Sequence, residues 1–434
     1  MMIIVLNIFC ALLSIYIAKT TFSRRSSALY ICLVVFDLLY VVPLIVELIL
    51  GNARTPYPGI INAQNDIATS FLYAGFIICV QIVFFIFLKK RSGHKYSFSF
   101  KENFENTRLT ISKNGIIAII SAIACIVPIF AIIFAPQPAD YLTHIGAFAM
   151  NTVMVTAEEL NYHKNIAQIC KYIGFIGVIF LKLYDRQNQI FWKILRSLSI
   201  ISITLIDGKR TFITFLILML LFVDFMSDTK KIRIIRRVVN ALAIVAIYFV
   251  LYSYLTGKYE YNTNWYSVIS EYFFRSNSVR VTLYAQLHPD KLKILDYPFQ
   301  SFIYDLLYFI PKNIWTFKPA AFPQYYSTAV LGIVNTTEID WFFQTNWYTE
   351  CIANIGFLGI LVGPLFIVYL SKIVDRSKNI VTHMIGLFFT VMITVFEYSD
   401  MFKIVFLVWI LMIIRDYSKN IHMQKDNLLE NKIK

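Results

Sequence analysis

The sequence predicts an all-α polytopic integral membrane protein, and three observations lead there. Its 434 residues are 58% apolar and only 15% charged, with a mean hydropathy of +0.63. A soluble domain carries about 25% charged residues, so a soluble globular chain is excluded. Apolar runs close to the roughly 20 residues that span a bilayer recur from one end to the other. The connectors between them alternate between strongly basic and nearly neutral, as in a chain that crosses a membrane repeatedly.

Eleven runs read as transmembrane helices: 2–18, 28–50, 67–88, 115–135, 166–183, 190–206, 211–226, 234–255, 347–370, 380–396 and 401–414. The first has no basic segment before it and no small-residue cleavage site after it, so it reads as a helix and not as a signal peptide. Segment 139–160 is semi-apolar and reads as re-entrant or interfacial. A crossing there would spoil the charge alternation. The expected number of spans is therefore about eleven, within ten to twelve.

Most of the 40 Lys and Arg residues lie in six connectors: Lys19 to Arg25, Lys89 to Lys113, Lys182 to Arg196, Lys230 to Arg237, Lys372 to Lys378, and the tail from Arg415. The positive-inside rule puts these in the cytoplasm. The N-terminus is then outside, the C-terminus cytoplasmic, and the location a cell inner membrane. The net charge of +14 reads as an orientation signal, and nucleic acid is not the expected partner.

The opposite side carries one large connector, 257–346. It divides the chain into an N-terminal bundle (1–256), this external loop, C-terminal helices (347–416) and a cytoplasmic tail (417–434). Its basic residues (Lys258, Arg275, Arg280, Lys291, Lys293, Lys312, Lys318) are balanced by Glu260, Glu271, Asp290, Asp296, Asp305, Glu338 and Asp340. Loops of this size are seldom structureless, so a small folded cap is expected. Phe299, Phe302, Ile303, Leu306, Leu307 and Ile310 recur at helical spacing between Pro298 and Pro311, which predicts a short amphipathic helix in the membrane interface. Trp265, Trp315, Trp341, Tyr325 and Tyr326 suit either interfacial anchoring or sugar stacking.

Metal and nucleotide chemistry lack their signatures. Cys10, Cys32, Cys79, Cys125, Cys170 and Cys351 lie in or beside apolar runs without CxxC spacing, and read as small core residues. His94, His144, His163, His288, His383 and His422 never fall at HxxxH spacing, and there is no glycine-rich phosphate loop. No metal and no cofactor are expected.

Three polar groupings on the outer side remain. Asp207-Gly208-Lys209-Arg210 turns between two short apolar runs. Lys209 and Arg210 there suit a phosphate grip or a snorkelling pair. Arg275 and Arg280, five apart, reach one ligand from two angles or pair with nearby acids such as Glu271. At the start of the ninth run, Glu350 and Asn354 share one helix face, with Gly356 and Gly359 permitting close packing. Polar groups at such a boundary are more often functional than decorative.

With these groupings the chain resembles the Wzy-type oligosaccharide repeat-unit polymerases of O-antigen and capsule assembly. The resemblance rests on the outer Gly208-x-Arg210 turn, the long external loop, Pro311-Lys312-x-x-Trp315-x-x-Lys318-Pro319, and Glu350-x-x-x-Asn354-x-Gly356-x-x-Gly359. It implies a membrane glycosyltransferase of GT-C-like architecture, independent of metal and nucleotide. Such an enzyme moves a glycan from undecaprenyl diphosphate to a sugar hydroxyl of another lipid-linked repeat unit at the outer leaflet. It also implies a flippase and a chain-length regulator as pathway partners. Lys209, Arg210, Arg275, Arg280, Lys312, Lys318 and Asn354 become candidates for binding diphosphate or glycan. Arg210, with Glu350 as first choice of base and His288 as second, becomes a catalytic candidate. The neighbouring readings are an O-antigen ligase and a lipid-linked oligosaccharide flippase. Against the ligase, His288-Pro289-Asp290-Lys291 does not resemble the ligase histidine motif. Against the flippase, the second apolar run holds just Asp37 and Glu47 as charged residues, and a flippase does not need the long outer loop.

Overall fold

The computed structural model describes residues 2–24, 27–90, 115–143, 156–184, 190–207, 275–311, 313–333, 342–377, 379–396 and 406–416, with scattered positions between 216 and 270. No strand occurs among these residues. Their principal helices, in chain order, are α1 (Met2–Thr20), α2 (Ala28–Leu50), α3 (Pro58–Asn65), α4 (Ile67–Lys90), α5 (Gly115–Ile133), α6 (Glu158–Leu183), α7 (Ile190–Asp207), α8 (Ser276–Leu287), α9 (Gln300–Leu306), α10 (Phe322–Leu331), α11 (Trp347–Ile355), α12 (Gly359–Arg376) and α13 (Ile380–Val395). Six stretches are long and apolar enough to cross a membrane: α1, α2, α4, α5, α6 and the continuous pair Trp347–Arg376 formed by α11 and α12. The chain is a helical membrane protein.

Those six match the runs at 2–18, 28–50, 67–88, 115–135, 166–183 and 347–370. The run at 190–206 forms α7, but Lys193, Arg196 and Asp207 fall within its 18 residues and lower its hydropathy. The run at 380–396 forms the 16-residue α13, and 406–416 is helical in the run at 401–414. The runs at 211–226 and 234–255 lie largely outside the described residues, as does 144–155 within the semi-apolar segment.

The helices divide between two compact units, Met1–Ser97 with Asn264–Lys434, and Phe98–Thr263. In the first, α1 shows the inversion that lipid imposes. Asn7, Cys10, Ser14 and Ile17 form its buried stripe, while Ile4, Ile8, Leu12 and Ile15 are exposed. Hydrocarbon solvates the apolar face, so polar side chains turn inward to find partners. The core of this unit is aromatic: Tyr348 of α11 lies 5.5–5.7 Å, ring to ring, from Phe36, Tyr40 and Phe76. At its other end, the Ala28 N–H donates to Asp375 Oδ1 at 2.8 Å and ties the start of α2 to α12.

Helix α2 is not uniform. Residues Asp37–Val41 widen into a π-turn just before Pro43. Proline has no N–H, so Leu39 O loses the partner it would have in a regular helix. It accepts instead from the Arg275 N–H at 3.2 Å, and Tyr40 O accepts from the Tyr73 hydroxyl at 2.9 Å.

The second unit packs α5, α6 and α7 through small residues. A Cβ on Gly174 would stand 2.5 Å from Pro128 Cγ, and one on Gly177 would stand 2.7 Å from the Ala124 Cβ. Backbones approach closely where the side chains vanish. The C-terminal end of α7 is held by a buried ion pair, Lys171 Nζ to Asp207 Oδ1 at 2.7 Å. All six cysteines are free thiols, four of them buried, as expected of core residues.

The amphipathic helix predicted across 299–310 is shorter than its pattern. Phe299 takes a left-handed φ of 64° and α9 covers Gln300–Leu306. Beyond it, Lys318 Nζ donates to Tyr308 O and Ile310 O at 2.5 and 2.8 Å. Those carbonyls are satisfied without further helix. Leu306, Phe309, Ile314 and Phe317 are exposed, an apolar surface suited to an interface.

Candidate functional site

Glu350 and Asn354 stack on one face of α11, as their spacing requires. Helix α11 starts with a reciprocal cap between Asn346 and Thr349, which fixes its first turn. The carboxylate is 1% exposed and accepts from the Ser301 hydroxyl at 2.7 Å. Asn354 Nδ2 donates to that same hydroxyl oxygen and to Glu350 O, both at 2.7 Å, and its Oδ1 accepts from the Ser301 N–H at 3.2 Å. Asn354 O accepts from the Phe299 N–H at 3.2 Å. Four hydrogen bonds thus seat the start of α9 on α11, and they hold Glu350 inside.

Helix α11 ends because Gly356 takes φ +63°, which an L side chain rarely adopts. A 3-10 turn follows, and α12 begins at Gly359 with a virtual Cβ 2.5 Å from the carbonyl of Cys351. Gly356 therefore breaks α11 from α12, while Gly359 lets the start of α12 pack close against Cys351, as expected of it. That break opens a cleft of about 930 Å³ beside Asn354. Lys293, Asp296 and Asn354 line it together with Leu358, Leu361 and Val362. Leu358, Leu361 and Val362 are exposed on a membrane-spanning stretch, so this wall of the cleft faces lipid. The volume lies in the range of small-molecule sites.

Arg275 and Arg280 are both buried, yet they do not converge. Arg275 stands at the entry to α8, its Nε donating to Val395 O at 2.9 Å and its Nη2 to Gln344 Oε1. Its guanidinium carbon lies 5.2 Å from the Phe396 ring centre. Arg280, a turn and a half on, donates from Nη2 to Glu47 Oε2 at 2.5 Å and lies 4.8 Å over the Tyr73 ring. Burial opposes the charge on Arg280, but the Glu47 carboxylate outweighs it and holds the guanidinium above its usual range. Helix α8 is further tied to α11 by Asn346 Nδ2 donating to the Ser278 hydroxyl at 2.9 Å.

His288 ends α8 with Nε2 3.6 Å from Asp66 Oδ1 and its ring 4.6 Å from that of Tyr284. Burial raises the Asp66 carboxyl, but the Thr69 hydroxyl and N–H, together with His288, bring it below the usual carboxylate range. Lys318 is occupied by main-chain carbonyls. Gly208, Lys209, Arg210, Lys312, Glu271, Glu338 and Asp340 lie outside the described residues.

Sequence reasoning did not reach Ser301, Gln344 or the pairing of Glu47. Glu47 did carry a signal, being an ionisable residue near the C-terminal end of an apolar run. Ser301 carried none, since a serine in a loop is unremarkable until the loop is placed. Comparison of the chain with protein-family models, with curated proteins and with solved structures found no match.

Proposed function

We propose that the protein is a membrane glycosyltransferase of the Wzy type, which joins oligosaccharide repeat units carried on undecaprenyl diphosphate at the outer leaflet. The observation that supports this reading is the cleft at the α11–α12 break. It borders the buried Glu350–Ser301–Asn354 cluster, and its lining passes from Lys293, Asp296 and Asn354 to the lipid-facing Leu358, Leu361 and Val362. Such walls suit a ligand that is sugar at one end and isoprenoid at the other.

In the reaction, an acceptor hydroxyl oxygen attacks the anomeric carbon of the donor glycan. A bond forms between them, the bond from that carbon to the diphosphate breaks, and the hydroxyl proton passes to a base. Glu350 is the base we assign: it lies buried behind Asn354, held oriented by Ser301 and Asn354, while Asp296 is the carboxylate that lines the cleft itself. The leaving diphosphate gains negative charge as the bond lengthens, so fixed cations favour the transition state over the ground state. Lys293 lines the cleft and takes this role; Lys209 and Arg210, expected from the sequence to share it, lie outside the described residues. Arg275 and Arg280 act one step back, by fixing α8 against α2 and α13.

Deletion of the gene, followed by gel analysis of the surface glycan, tests the reading. The expected result is single repeat units on the surface carrier, with lipid-linked units accumulating in the membrane. Persistence of long chains on the lipid carrier overturns polymerisation in favour of ligation. Accumulation confined to the cytoplasmic leaflet overturns it in favour of transport.

A further inference from the structure

We propose that Asp37, Ser14 and Gln81 form a monovalent-cation site inside the membrane-spanning core, filled by a proton or by Na⁺. Asp37 opens the π-turn of α2, nine residues or about 14 Å of helix from the end at Ala28. It therefore stands near the middle of the span. Gln81 Nε2 of α4 lies 3.4 Å from Asp37 Oδ1, and Ser14 of α1 stands beside the carboxyl. The same Nε2 donates to Cys10 O at 3.2 Å.

Two features call for a positive charge. Among the described residues Asp37 forms no ion pair. An ionised carboxylate at that depth without a countercharge is strongly disfavoured. Independently, Gln81 is fully buried and its Oε1 has no hydrogen-bond partner. A buried amide oxygen left unpaired in a native protein calls for an explanation. A half-turn of the Gln81 amide exchanges its nitrogen for its oxygen beside the carboxylate and Cys10 O, and with the Ser14 hydroxyl these oxygens form the donor set of a hard monovalent ion. A proton on Asp37 removes the same charge.

Among the described residues the surroundings supply no alternative countercharge. From α1 the facing groups are Asn7, Cys10 and Ser14, and from α4 they are Gln81 and Tyr73. On α2 itself they are Tyr40 and, further along, Glu47, already paired with Arg280. The Tyr40 hydroxyl donates to Thr394 O and that of Tyr73 to Tyr40 O, so neither is available to Asp37. Occupancy has a structural consequence. Leu39 O, two residues after Asp37, accepts the Arg275 N–H, so the ion and the entry to α8 act on the same π-turn.

Carbodiimide labelling tests the site, because dicyclohexylcarbodiimide adds to protonated carboxyls in apolar surroundings. The full-length protein in detergent is treated in mildly acidic and mildly alkaline buffer, with NaCl or with choline chloride, and the adduct on Asp37 is followed by peptide mass spectrometry. Melting temperatures of the protein and of Asp37→Asn are recorded in the same buffers. Labelling of Asp37 that slows several-fold in alkaline buffer identifies a proton. Further slowing by NaCl and not by choline identifies Na⁺. If the reagent does not reach the residue, a melting shift with pH or Na⁺ that Asp37→Asn loses supports the site. The proposal is overturned if pH and Na⁺ leave the labelling unchanged and the two proteins melt alike in every buffer.

Discussion

Two buried ion pairs hold the two units, and they differ in what they join. Arg280 and Glu47 are 233 residues apart in sequence and fasten a loop helix, α8, to a spanning helix. Lys171 and Asp207 are 36 apart and close a hairpin of two neighbouring helices. The first brings distant chain together and the second only finishes what adjacency begins. A buried pair gains little over a well-packed apolar pair, but loss of one partner strands a charge. The long-range pair should therefore be the more sensitive, because α8 has fewer other attachments to α2 than α6 has to α7.

Arg280→Met tests that ranking most severely. It leaves Glu47 buried without its cation and is expected to cost about 3–5 kcal/mol. Limited proteolysis should then cut around α8 while the spanning helices stay intact. Restoration by the double change Arg280→Met with Glu47→Leu would show that the stranded charge, and not lost packing, is the cause.

Lys171→Met strands Asp207 in the same way, with an expected cost of roughly 2–4 kcal/mol. The close glycine contacts of α6 should keep the hairpin together. The melting temperature should fall without a new cleavage site, and Asp207→Asn in addition should return most of the loss. A larger drop than for Arg280→Met would reverse the ranking.

Ser301→Ala involves no ion pair and sets the scale for neutral attachment. It leaves the Glu350 carboxylate and Asn354 Nδ2 short of one partner, at an expected cost of about 1–3 kcal/mol. Faster protease cutting near α9, with α8 unchanged, would separate the seating of α9 from that of α8.

The smallest effect is expected at the exposed edge, where His288 meets Asp66. The folded carboxyl lies below its ordinary value, so its contribution is complete above the ordinary carboxylate range. It is lost as pH falls through that range and through the lower folded value. For a partly exposed group this amounts to less than about 1 kcal/mol. Melting curves in falling pH should show Asp66→Asn losing less stability than the parent protein below about pH 4.

The legible parts of the molecule were those governed by local periodicity. Hydropathy located the six long spans, and a spacing of four placed Glu350 and Asn354 on one face of α11. The Asn346–Thr349 cap sits at the start expected for that run. What periodicity does not encode is which distant groups meet. Arg275 and Arg280 looked like two hands on one ligand, but their directions depend on Gln344, Val395 and Glu47, which lie far away in sequence. Gly359 makes the close approach its spacing suggests, but Gly356 serves a turn, and a positive φ is invisible until the chain turns. The length of α9 was overread because the apolar spacing continues past Leu306, while Lys318 caps the carbonyls beyond it.

Pro43 shows how much can follow from one missing hydrogen. By withholding an N–H it turns Leu39 O into a socket on the flank of a spanning helix, and the chain entering α8 plugs into it. Deleting one residue between 37 and 41 would close the wide turn with little rotation, since five residues at about 80° each cover nearly the angle of four at about 100°. Ala28 would stay at Asp375, and Pro43 would still leave a carbonyl free, but a different one would face the entry to α8. A single residue of slack in the middle of α2 therefore chooses which carbonyl is offered, and leaves the helix on either side in phase.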